Sequence, residues 1–335
     1  MRTGVQLVLP GLFDLPLQEL APGFVTSELP CLNRILGRAS ALPNQDYSID
    51  SILRSALALQ PGTAGLPVAR AFAGEGDDGD RLLLVEAVHL QADLHGAIAM
   101  PIPKSNDNLR DINLLINDLR DIFKVDFDIT AVAEGLYRMQ LKGFVPPAHY
   151  PHPLSVLGKS VSPYVEQSRA VLPWYQLQNE MQMYLHQHAV NAERLQQGKL
   201  AINSLWAWGA GAPAELARKP DWYGDDDALN RFAGMLGMTV APCSAIADHA
   251  GLEHAVIVDL RLLQLLKTGF DGRLDELLLD IEHGLIAPLM QALVKRPAPL
   301  RLRAGYRFDF ELPPGARLKF WRRARSLAHW GEEVV

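Results

Sequence analysis

The chain has 335 residues, 48% of them apolar and 21% charged, and a formal net charge of −6. That balance excludes a disordered chain and a wholly basic polyanion binder, and the length allows one large core or two modest ones. Cys31 and Cys243 stand far apart with no Cys-x-x-Cys spacing, which excludes a disulfide framework or a cysteine zinc cluster and fits a reducing compartment. The opening apolar run is broken at Pro10 and Asp14, too short and wrongly flanked for a signal peptide. No stretch approaches the roughly 18 consecutive apolar residues of a membrane span, so a cytoplasmic protein with no membrane partner is expected.

In chain order, residues 5–9 predict a buried first strand that empties into a loop at Pro10-Gly11. Leu29, Leu32, Ile35 and Leu36 recur at helical spacing, and residues 46–59 give a second helix, cappable by Ser48 or Asp50, with Ile49, Ile52, Leu53 and Leu57 as its stripe. The polar turn at 74–80 lacks the alternating acids and closing Glu of a calcium loop. Residues 81–90 read as a strand covered on both faces, 106–123 as an amphipathic helix on Leu109, Ile112, Leu115, Ile116, Leu119 and Phe123, and 135–143 as a half-exposed strand. The region 80–165 therefore reads as an inserted α+β subdomain between a first core part, 1–79, and a second, 166–335.

Beyond a stiff Pro-rich linker at 145–153, Gly158-Lys159-Ser160 imitates the tail of a phosphate loop, but Pro153 stands where the loop's first glycine belongs. Residues 173–187 predict a helix with Pro173 in its first turn, and Asp225-Asp226-Asp227 open another helix carrying Leu229, Phe232, Ala233 and Leu236. Two buried strands follow at 238–242 and 255–260. The longest periodic helix, 273–293, turns Leu274, Leu277, Leu278, Ile281, Leu285 and Leu289 inward and Asp275, Glu276, Asp280 and Glu282 outward, with a kink at Pro288. Strands at 300–312 and a basic segment at 317–330 close the chain. The alternation predicts a mainly parallel sheet covered on both faces.

The stretch from 186 to 211 gathers the candidate ligand-binding residues: His186, His188, Asn191, Arg194, Lys199, Asn203, Trp206, Trp208, Gly209 and Gly211. It reads as a helix end, a Gly-Lys turn, a strand and a Gly-rich loop at the strand's carboxyl end, where an open α/β sheet holds its ligands. Gly209-Ala210-Gly211-Ala212-Pro213-Ala214 formally satisfies the dinucleotide fingerprint, but no acidic residue ends a second strand about 20 positions on. His186 and His188 share no metal unless the helix unwinds between them. Asp248-His249 and Glu253-His254 are candidate acid–base pairs, each explained equally by a polar loop. Arg317, Lys319, Arg322, Arg323 and Arg325, near Phe320 and Trp321, could grip RNA or an acidic partner, though a solvated helix face is the default and nucleic-acid binding is not expected.

The block His188-Ala189-Val190-Asn191, Arg194, Gly198-Lys199, Asn203, Trp206, Trp208-Gly209, Gly211 and Pro213 resembles a segment of the archaeal-type cofactor-independent phosphoglycerate mutases, members of the alkaline phosphatase superfamily. Asn179-Glu180, Gln182-Met183, Leu185-His186 and Ile202–Trp206 resemble the RpfE-type regulatory proteins, shortened relatives of those enzymes. The resemblance implies an alkaline-phosphatase-like three-layer α/β sandwich with the inserted subdomain. In the enzymes it implies two divalent metals, such as manganese, and a hydroxyl nucleophile. Here Pro10 stands where the first ligand Asp belongs, no Gly-Ser-Asp exists, and Val258-Asp259-Leu260 is followed by Arg261-Leu262 instead of Gly-His. Two-metal phosphoryl transfer needs those groups. The expectation is a non-catalytic regulatory or binding protein without a metal, taking a small phosphorylated metabolite or a protein partner. An active mutase or phosphatase using Asp14, Asp248, His249 and Asp259 with two metals stays open as the alternative, as does a structural or nucleic-acid-contacting role for the basic C-terminus.

Overall fold

The computed structural model describes residues 4–59, 65–94, 96–147, 150–164, 169–248, 252–268, 274–315 and 324–331. The chain divides into two units, Met1–Leu59 with Leu216–Val335 and Gln60–Glu215. In chain order the strands are β1 (Val5–Val8), β2 (Ser40–Pro43), β3 (Leu82–Asp93), β4 (Gly96–Pro101), β5 (Phe127–Ala133), β6 (Leu136–Leu141), β7 (Ser204–Trp208), β8 (Asp221–Gly224), β9 (Val240–Ala241), β10 (Ala255–Val258), β11 (Leu300–Arg303) and β12 (Phe308–Leu312). The α-helices are α1 (Phe24–Ser27), α2 (Pro30–Arg38), α3 (Ile49–Ala56), α4 (Asn106–Ile122), α5 (Leu172–Gln187), α6 (Ala189–Gln196), α7 (Asp227–Met235), α8 (Arg261–Thr268), α9 (Leu274–Ile281), α10 (Ala287–Lys295) and α11 (Leu327–Gly331).

In the first unit seven strands lie in the order β2-β12-β11-β1-β10-β8-β9. From β11 to β9 all neighbours are parallel, while β12 runs against both of its neighbours. Central parallel strands need apolar residues on both pleats, and Ala255-Val256-Ile257-Val258 supplies them, buried at every position. Val5, Leu7, Leu9, Ile257 and Tyr223 pack with α2 and with the long helix made of α9, a π turn at Glu282–Ile286 and α10. Val8, Val258 and Trp222 are buried outside that cluster, on the pleat that α3 and α7 cover. Helices on both faces make this unit a three-layer α/β sandwich.

The long helix, Leu274–Lys295, passes the length and hydropathy test for a membrane span. Its Leu274, Leu278, Ile281, Leu285, Ile286 and Leu289 are nevertheless committed to the unit's core. The irregularity expected at Pro288 is present as the π turn just before it. Proline brings no N–H for the carbonyl four residues back, and a wider turn absorbs the mismatch. Glu282, expected to face outward, is buried. The wheel position already says so, since 282 follows Leu278 by four and precedes Leu285 by three.

The second unit is an antiparallel sheet in which β3 pairs with β4, β6 and β7, and β5 forms the edge beyond β6. Gly135 turns β5 into β6 at φ +70°, a left-handed position that glycine adopts without strain. α4 buries Leu109, Ile112, Leu115, Ile116 and Leu119, and Phe123 beyond its end stacks on Phe127 of β5 at 6.0 Å. β7, expected in the parallel sheet, instead runs antiparallel to β3, from Leu84 opposite Trp208 to Val88 opposite Ser204. Twelve residues of β3 leave it a free flank for β7. The insert therefore spans 60–215 instead of 80–165, and the core parts end at 59 and resume at 216 instead of 79 and 166.

Candidate functional site

The carboxyl ends of β1, β8 and β10 form one edge of the parallel sheet, where Pro10, Asp225 and Asp259 follow their strands. Asp259 is almost wholly buried, and its backbone N–H reaches Val8 O at 3.0 Å. Its Oδ1 accepts the backbone N–H of Arg261 at 3.0 Å and Arg261 Nε–H at 3.1 Å, while its Oδ2 accepts Nη2–H at 2.7 Å. Arg261 also pairs through Nη1 with Asp280 of α9. The Asp259 carboxylate, more than burial opposes it, holds the guanidinium charged well above its usual range. Nearby, Cys243 donates its thiol to Val258 O at 3.6 Å and its N–H to Asp225 Oδ1 at 3.3 Å. Burial, then Asp225, pushes that thiol up, so it is no nucleophile.

This donor set does not fit the two divalent ions that the resemblance implies. Pro10 offers no ligand, Asp14 is exposed on the following turn, and Asp259 has spent both oxygens on one cation. Among the described residues no three His, Cys, Asp or Glu side chains converge on a point. Asp248 ends the short turn Cys243–Asp248, and His249 lies outside the described residues. His254 precedes β10 while Asp259 follows it, so about 16 Å of strand separates them. Arg317, Lys319, Arg322 and Arg323 also lie outside the described residues, while Arg325 sits over Trp330 at 5.6 Å.

The block from 186 to 211 lies in the second unit. The helix does break at His188, whose extended backbone (ψ 138°) makes it the N-cap of α6. Its Nδ1 accepts Val190 N–H at 3.1 Å, so Nε2 carries the proton and donates it to Asp118 Oδ2 at 2.8 Å. Both ring nitrogens are thereby taken. Asn191 donates to Leu185 O (2.8 Å) and Ile202 O (2.9 Å) and accepts Ile202 N–H (2.8 Å), tying the end of α5 to the approach of β7. Arg194, 2% exposed, donates to Leu200 O, Asn108 Oδ1 and Asp111 Oδ2. Asn203 pairs with both backbone groups of Leu90, and Lys199 Nζ stands 3.7 Å from Asp107.

Trp206 and Trp208 are buried on one pleat, against Tyr150 and His152 respectively, and Trp206 Nε1–H reaches Pro151 O at 3.0 Å. Gly209 adopts φ +74°, and its carbonyl accepts Ala69 N–H at 2.9 Å; Arg70 Nε–H reaches Gly211 O at 2.8 Å. No helix follows this loop, which excludes the dinucleotide geometry. His186 alone of the two histidines is exposed. The polar groups of this block therefore hold the second unit together. The interactions missed from sequence, Arg261 on Asp259 and Glu282 on α2, each left a signal: an Asp-x-Arg directly after a strand, and a helical position in line with Leu278 and Leu285.

Fold and site define a two-unit α/β protein whose parallel sheet ends in an arginine-clamped aspartate. No family model and no curated protein matches the chain. Among solved structures it is similar to the PH0037 protein from Pyrococcus horikoshii, with 13% identity, 96% of this chain and 91% of that one covered, and a TM-score of 0.50. It is also similar to the cofactor-independent phosphoglycerate mutase from Thermoplasma acidophilum DSM 1728, with 16% identity, 93% and 89% covered, and a TM-score of 0.40. At 13% identity the likeness to the PH0037 protein shows a related fold.

Proposed function

We propose that this chain is a non-catalytic relative of the cofactor-independent phosphoglycerate mutases that acts in regulation by binding a protein partner or a small phosphorylated metabolite. The observation that carries the reading is the clamp of Arg261 on Asp259. Phosphoryl transfer at such an edge needs carboxylates left open for cations and a hydroxyl poised to attack. A guanidinium from within the chain holds Asp259 without creating a reactive group. Two free cysteines suit action in the cytoplasm.

The reading is tested by assaying the full chain for interconversion of 2- and 3-phosphoglycerate and for phosphatase turnover, with and without manganese. No turnover above a no-protein control is expected. Manganese-dependent turnover that disappears in Asp259→Asn would overturn it.

A further inference from the structure

In the second unit, α4 and the free edge of β5 enclose a cleft of about 470 Å³. Lys142 N–H bonds Asp126 O at 2.7 Å, and the β5·β6 register continues from that pair. Hydrogen-bonded pairs in an antiparallel ladder alternate, so residues 128 and 130 bond to β6. Ile129 and Ala131 then turn their N–H and C=O groups away from it, into the cleft. Neither residue has another hydrogen-bond partner among the described residues. Unpaired edge groups of this kind are a template for another strand.

The opposite wall is a stripe of α4, Asn113, Asn117 and Arg120, above Tyr137. Asn113 Oδ1 accepts Tyr137 O–H at 2.6 Å, which leaves its amide N–H groups to donate. Arg120 reaches only its exposed neighbour Asp121, at 3.3 Å. Asp128, the carboxylate lining the cleft, is held by Lys142. The wall is thus rich in donors and carries a cation whose one ion pair, with exposed Asp121, lies outside the cleft lining. Asn113 and Asn117 are about 6 Å apart along the helix axis, close to the roughly 6.6 Å between same-face side chains of an extended chain.

We propose that this cleft docks an extended peptide with an acidic side chain, which adds as a strand to β5 and places its carboxylate on Arg120. Twofold pairing of β5 with a second copy would instead bring Ile129, Ala131 and another Arg120 to the same wall, together with an Asp128 that Lys142 already holds. The assignment rests on the second unit alone and is independent of the state of Asp259.

A phage-displayed decapeptide library panned on the full chain tests it, followed by fluorescence anisotropy with the enriched peptide. Enrichment of alternating β-branched residues with an Asp or Glu is expected. Arg120→Glu, on an exposed helix face, weakens binding at least about tenfold. Ala131→Pro, which removes an N–H that the β6 ladder does not use, does the same. Circular dichroism and the melting temperature of each variant establish that it is folded, and Arg120→Glu decides alone if Ala131→Pro unfolds. No enrichment, or an enriched peptide indifferent to Arg120→Glu, overturns the proposal. So does a solution dimer that Ala131→Pro dissociates, since a second copy then occupies the edge.

Discussion

Arg261 grips the carboxylate of Asp259 with its backbone N–H at 3.0 Å, Nε–H at 3.1 Å and Nη2–H at 2.7 Å. The pair stands where β10 ends, and the carboxylate is 1% exposed against 38% for the arginine. Arg261→Ala leaves a buried charge without its counterion. Allowing for the arginine's exposure, the expected loss is about 2 kcal/mol. Arg261→Lys recovers less than half of it, because an ammonium cannot make the two-point contact. Urea unfolding measures both; an unchanged midpoint for Arg261→Ala would mean that water reaches Asp259.

Arg194 presents the same chemistry in a deeper setting. Its Nη1 is 2.8 Å from Asp111 Oδ2 and the two side chains are 3% and 8% exposed. Arg194→Ala leaves buried Asp111 only the exposed Arg110, at 3.3 Å, and is expected to cost about 3 kcal/mol. The double variant Arg194→Met/Asp111→Leu restores most of it, since an apolar pair of similar volume leaves no charge unpaired. A loss in the double variant equal to the sum of the two single losses would contradict this pairing.

The α/β class of the larger unit was legible because alternation of buried strands and amphipathic helices is a local signal. The placement of β7 was not. Ser204–Trp208 is buried at all five positions, so its burial resembles that of a central parallel strand. Only the free flank of β3, more than a hundred residues upstream, decides its partner. The intramolecular partners of the candidate residues were hidden for a related reason. Asn191, Arg194 and Asn203 are residue types that recognise ligands, and they recognise backbone carbonyls equally well. Nothing in a sequence says which acceptor will be nearest. Glu282 was misplaced because charge was allowed to outweigh helical position.

Glu282 accepts the N–H groups of Cys31 (2.5 Å) and Leu32 (3.1 Å), the first turn of α2. A carboxylate there satisfies two orphan donors and meets the positive end of the helix. Since Leu29 at the N-cap position offers no side-chain acceptor, no local substitute exists. Glu282→Gln keeps one good acceptor and is expected to cost about 1 kcal/mol, whereas Glu282→Ala loses both bonds and leaves a void, at about 2–3 kcal/mol. Hydrogen exchange localises the effect: the amides of Cys31 and Leu32 lose protection first. Uniform loss across the unit would show that Glu282 acts through packing instead.

Cys243 and Tyr223 give the protein an alkaline limit. Burial, reinforced by Asp225, raises the Cys243 thiol above its usual 9.0. Burial, reinforced by Asp221, moves the Tyr223 phenol from 10.0 to about 12. The folded chain keeps both protons at a pH where the unfolded chain has released them, so the native state binds more protons and stability falls as pH rises. The contribution of these groups is fully present below about pH 9 and declines above it, by up to about 1.4 kcal/mol per pH unit for each group. Urea unfolding between pH 8 and 10.5 measures the slope. Cys243→Ala removes one titrating proton and is expected to flatten the decline between pH 9 and 10, where Tyr223 contributes little. A slope that Cys243→Ala leaves untouched would place the thiol in contact with water.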